Sequence, residues 1–158
     1  MITKVIPYHD LDGDPREDEF YFSLNEAQIA RLNGEFPGGL QNYIHRVLKE
    51  KNVNELFRVI DTLVQAAYGE RIGDKFVKKA PNGQPLSDFF VNTEAYDFLL
   101  AELVKSEDNF INFFIGCLGT KAQENARKNY EAAKASIAGG ATPSEALKVL
   151  SNPTPPKN

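Results

Sequence analysis

Cysteine is nearly absent from this chain: Cys117 stands alone among 158 residues, so no internal disulfide can form. A single thiol is compatible with a reducing compartment. Tryptophan is missing, and methionine occurs once. Only His9 and His45 carry imidazoles, no H-E-x-x-H or C-x-x-C spacing occurs, and Cys117 is the one further nitrogen or sulfur ligand, so no zinc-site pattern is present. Apolar runs are short. None approaches the roughly 18 residues that span a bilayer, and Met1–Pro7 lacks the apolar stretch of a secretory signal. Concentrated positive charge is lacking too. Residues 1–118 hold 12 basic and 19 acidic side chains, a net of −7, which argues against nonspecific nucleic-acid binding.

What the chain has is phenylalanine (11) and tyrosine (6), within an apolar fraction of 42%. That suffices for a core in one domain of ordinary size. The fold expected is mainly α, a helical bundle with a small N-terminal β-hairpin. Residues Ile2–Tyr8 and Glu19–Phe22 read as strands around the turn-rich Asp10–Pro15. Ser23 and Glu26 have the spacing of a capping box, as do Asn52 and Glu55. Leu40, Tyr43, Ile44, Val47 and Leu48 recur on one helical face. Leu56, Phe57, Ile60, Leu63, Val64 and Ala67 do so on the next, with Gly69 placed as its C-terminal cap. Residues 70–87, with two glycines and two prolines, read as a long loop with a short extended piece at Lys75–Lys78. A further helix follows Asn92 or Thr93, with Tyr96, Leu99, Leu100, Leu103 and Val104 on its apolar side. Another runs from Ser106 to Leu118.

Gly119 divides the composition, giving a body over 1–118 and an Ala/Lys-rich helical extension with a proline-containing tail over 119–158. The second part has a net charge of +3, which reads as solubility. Within it, Gly139-Gly140 breaks the helix, Thr142-Pro-Ser-Glu145 caps a short one, and residues 151–158 read as mobile.

Catalytic motifs fail on inspection. Asp10, Asp12 and Asp14 alternate as in a calcium loop, but Pro15 and Tyr21 occupy its glycine and glutamate positions. Gly69-Glu-Arg-Ile-Gly-Asp-Lys75 lacks the order of a phosphate-binding loop. No cofactor, metal or catalytic residue is assigned, and a binding protein is expected. The unusual element is the Ser106–Leu118 helix. Phe110, Phe113, Phe114, Cys117 and Leu118 line one side, flanked by Ile111 and Ile115. A helix apolar most of the way round is either central to a core or shared with a partner or a second copy. Both readings stay open. The interface candidates are Phe110, Phe113, Phe114 and Ile115, with Tyr68, Phe76 and Lys78 as a second patch.

Taken in order, several segments resemble one family. They are Phe20-Tyr-Phe-Ser-Leu-Asn-Glu26, Gly38-Gly-Leu40, Tyr68-Gly-Glu70 with Gly73-Asp-Lys-Phe-Val-Lys78, Phe90 with Thr93-Glu-Ala-Tyr96, and Phe110-Ile-Asn-Phe-Phe-Ile-Gly116. The family is the tail assembly chaperones of long-tailed, siphovirus-type bacteriophages, and the resemblance covers residues 12 to 116. The chain departs from it at Gly73-Asp-Lys-Phe76, where Gly-Lys-Arg-Phe is frequent, and after Gly116, where a proline is frequent. The resemblance implies a noncatalytic protein of the host cytoplasm. It would hold the long helical tape measure protein soluble, help recruit tail tube protein, and be absent from the finished virion. Many such proteins are made in two lengths by frameshifting. Self-association is a further expectation; nucleic acid and membrane are not expected partners. The alternative is a structural protein retained in the virion neck or tail.

Overall fold

The computed structural model describes residues 1–138. Two strands open the chain, β1 (Ile2–His9) and β2 (Pro15–Phe22), paired antiparallel from Ile2↔Phe22 to His9↔Pro15. Three helices follow, α1 (Glu26–Glu35), α2 (Leu40–Glu50) and α3 (Val53–Ala67). A second hairpin, β3 (Tyr68–Ile72) and β4 (Lys75–Val77), precedes the short α4 (Ser87–Phe90). The helices α5 (Glu94–Lys105), α6 (Glu107–Cys117) and α7 (Thr120–Ala138) complete the described part.

The mainly helical class holds. The sheet is larger than expected: four antiparallel strands in the order β1-β2-β3-β4. Residues 70–87 are therefore not one loop. Ile72 pairs with Lys75 across a two-residue turn, with Gly73 at φ +63° in its first central position. A positive φ there suits the right-handed twist of a hairpin, and glycine adopts it without steric cost. The extended piece expected at Lys75–Lys78 is strand β4; its partner β3, which contains Gly69, does not stand out from a loop by alternation. The hairpin's root, Tyr68-Gly69, joins the sheet by pairing with Tyr21 and Phe22. Gly69 is consequently a strand residue, and Tyr68 caps α3 in extended geometry.

The first helix also starts later than the Ser23 capping box implied. The Ser23 N–H donates to the Ala67 carbonyl (2.8 Å) and that of Leu24 to Cys117 (2.7 Å), so the backbone stays extended through both residues. Asn25 and Gln28 form the reciprocal box instead, each side chain accepting the other's N–H at 2.9–3.1 Å. The predicted caps at Asn52 and Ser106 are in place, accepting from Glu55 and Asn109.

One sheet face carries Ile6, Phe20, Phe22 and Tyr68, the alternate residues of three strands, and packs on the helices. Phe22 is fully buried and lies 5.1 Å from Phe113, 5.7 Å from Phe90 and 5.8 Å from Tyr68, ring centre to ring centre. Tyr68 and Phe90 stack at 4.4 Å with planes 6° apart. Truncating such a hub costs about 3–5 kcal/mol. Helix α7 reaches the body through the buried Tyr130, whose hydroxyl donates to Asp108, and through an ion pair from Lys134 to Asp108 at 3.2 Å. The Gly139-Gly140 break, the Thr142 cap and the proline-containing tail lie outside the described residues.

Candidate functional site

The phenylalanine-rich helix is spent mostly on the chain's own core. Phe110, Phe113 and Ile115 are 2%, 1% and 3% exposed, and Gly116 lets β1 approach, since a Cβ there would meet Ile2 Cδ1 at 2.6 Å. Of the two readings left open for this helix, these three residues follow the one in which it is central to the core. They fill the space between the sheet and α5, which a count of helices could not anticipate. Phe114 packs on the same cluster but keeps surface area. Cys117 is buried, and loss of hydration pushes its thiol up to about 12.

The second patch is similarly structural. Tyr68 is buried in the aromatic hub. Phe76 lies over Gly69 and is half-buried. Lys78 donates from Nζ to the Ser23 carbonyl (2.5 Å), the Ala66 carbonyl (2.6 Å) and Gln28 Oε1 (2.8 Å). One ammonium thus ties the second hairpin to the end of α3 and the start of α1. Burial pulls its pKa down to about 8, and the three oxygens around it favour the charged form. Lys78 Nζ also lies 5.7 Å from the centre of the Phe76 ring, and the geometry of the lysine is that of a brace.

Surface apolar area lies elsewhere. Phe98 (45% exposed), Val104 (36%) and Val5 (54%) sit on α5 and β1; Phe89 (54%) belongs to α4. The elements α5 and β1 are joined by Lys4–Glu102 at 2.5 Å and His9 Nδ1–Glu94 at 3.2 Å. Between them opens a cleft of about 570 Å³, walled by Pro7, Tyr8 and His9, by Pro15 and Arg16, and by Glu94, Asp97 and Phe98. Tyr8 donates to Asp18 at 2.6 Å, and that carboxylate holds the phenol protonated beyond its usual range. Arg16 lies 3.3 Å from the same carboxylate. Reading α5 for its core stripe alone passed over Phe98. The signal was an aromatic residue beside Asp97, one position off the Tyr96–Leu99–Leu103 face.

The acidic turn has a backbone role. Asp10 Oδ1 accepts N–H bonds from Asp12 and Asp14, both at 3.0 Å. Among the described residues no group of three or more His, Cys, Asp or Glu side chains is placed to hold a metal ion. Among the same residues no helix is long and apolar enough to cross a membrane. The geometry on offer is an open cleft walled by Pro7, Tyr8 and Phe98, with Glu94, Asp97, His9 and Arg16 as its charged and polar members.

No curated protein and no solved structure matches the chain. A family model described as phage tail assembly chaperone matches residues 1–154, nearly the whole length and well past residue 116, where the resemblance ends. The segments that resembled this family are the ones that build the aromatic hub, the second hairpin and its lysine brace. The chain belongs to the phage tail assembly chaperone family.

Proposed function

We propose that this protein binds the tape measure protein of its phage in the host cytoplasm, keeps it soluble, and helps recruit tail tube subunits before the tube closes around it. The family match over residues 1–154 carries the reading. A tape measure protein is a long amphipathic helix, exposed until the tube forms, and a chaperone for it needs apolar area outside its own core. Phe98, Phe89 and Val5 supply such area. Repeated weak contacts along one client give avidity while allowing displacement by tube subunits.

Within the two patches proposed from the sequence, Phe114 and Phe76 are the members with surface left for a client. Phe110, Phe113, Ile115, Tyr68 and Lys78 act by building the body that presents them. Residues 1–118 form that body in this reading, with α7 packed on it through Tyr130.

Co-expression tests the proposal. The tape measure protein should move from the pellet to the soluble fraction only when this chain is present, and the two should co-purify. A tape measure protein equally soluble alone would sink the reading. Mass spectrometry of purified particles tests the departure of the chaperone. Stoichiometric retention in the virion would favour a structural role in the neck or tail.

A further inference from the structure

We propose that the β1–α5 cleft seats an apolar side chain of a partner helix whose neighbouring positions carry lysine or arginine. The proposal rests on the chaperone reading and assigns it a contact surface and a partner chemistry.

Charge selects the partner. The cleft lining holds the carboxylates Glu94 and Asp97, with Asp18 adjoining through Tyr8 and Arg16, against one arginine. That arginine, Arg16, already faces Asp18, and His9 already faces Glu94. Asp97 has no ion-pair partner among the described residues. An apolar anchor flanked by acidic residues would be repelled here, whereas one flanked by Lys or Arg gains a complementary rim.

Backbone chemistry selects a helix over an added strand. β1 is an edge strand, the usual place for an extended peptide to pair. Beside the cleft its donors are spent. Pro7 has no N–H, and the His9 N–H, two residues on and so directed to the same edge, donates to Glu94 Oε2 at 3.0 Å. A partner must therefore dock through side chains, and the half-exposed Phe98 ring, which lines the cleft with Glu94 and Asp97, is the apolar surface it would cover.

Two synthetic helical peptides with the same leucine stripe, one flanked by lysines and one by glutamates, provide the probe. Each is titrated into the full chain while backbone amide shifts and fluorescence anisotropy are followed. The lysine peptide should bind about tenfold tighter or better, weaken between about 0.05 and 0.5 M salt, and shift amides at residues 8–9 and 94–98. Phe98→Ala and Asp97→Lys should each weaken it about tenfold. Ile72→Ala, at a site 61% exposed on the other hairpin, should not. Equal affinity for both peptides, full affinity in Phe98→Ala, or shifts confined to other elements would overturn the proposal. So would a dimer of this chain abolished by Phe98→Ala without peptide binding, which would put a second copy in the cleft. The two readings fail separately. A lysine peptide bound at the cleft beside a tape measure protein that is never rescued removes the client alone. Rescue by Phe98→Ala equal to wild type removes the cleft alone.

Discussion

Gly69→Ala tests whether the second hairpin is packed as tightly as its geometry requires. Gly69 does not have a positive φ, so its need for glycine is one of space. An added Cβ would lie 2.5 Å from Phe76 Cζ, 2.8 Å from Phe76 Cε2 and 2.8 Å from the Val77 carbonyl oxygen. The ring can swing away at the cost of its packing. The carbonyl cannot move without β4, which is held by three paired positions and by the Lys78 brace. Overpacking of this kind costs about 1–3 kcal/mol, and the backbone clash places this case near 2 kcal/mol. For a chain of this size that is a fall in Tm of about 4–8 °C, read by circular dichroism. In a Phe76→Ala background the ring clash is gone while the carbonyl clash stays, so the cost of Gly69→Ala should drop by about 1 kcal/mol. A loss below about 0.5 kcal/mol in the wild-type background would refute the packing argument. An identical loss in both backgrounds would refute the role given to the ring.

Cys117, with its pKa near 12 and its side chain sealed, should resist iodoacetamide at pH 8 in the native state and react fully in denaturant; rapid native alkylation would contradict its burial. Above pH 8 the pH dependence of stability follows from four groups. Lys78, lowered from 10.5 to about 8, is neutral in the folded state but charged in the unfolded state above pH 8, so stability should rise from pH 8 to 9. The gain is roughly 0.5 kcal/mol, the one-proton slope reduced for partial solvent screening. From pH 9 the unfolded thiol of Cys117 ionises while the folded one does not, which cancels the slope. Above pH 10 the buried hydroxyls of Tyr68 and Tyr130, held protonated, make stability fall. Urea titrations should show the rise between pH 8 and 9, and Lys78→Met should abolish it. A rise of equal size in the variant would show that Lys78 is not its source.

Much of the architecture was legible because it is local. The stripes of α2, α3 and α5 repeat at the helical period, and the caps at Asn52 and Ser106 lie three residues from the N–H groups they accept. The resemblance carried by the segments around Tyr68–Lys78 and Phe110–Gly116 pointed to a phage tail assembly chaperone, and the match over residues 1–154 shows that family. Tertiary structure decided the rest. Whether Phe110, Phe113 and Ile115 face a partner or the core depends on what β1 and α5 bring against α6, contacts no periodicity in α6 itself encodes. Tyr68 and Lys78 look like surface features until Phe90, Ser23 and Ala66, far apart in the chain, close around them. The cleft exists only because Pro7–His9 and Glu94–Phe98 meet across some ninety residues of chain; a local pattern reports which side of an element is apolar, while long-range packing determines which apolar area is left in water.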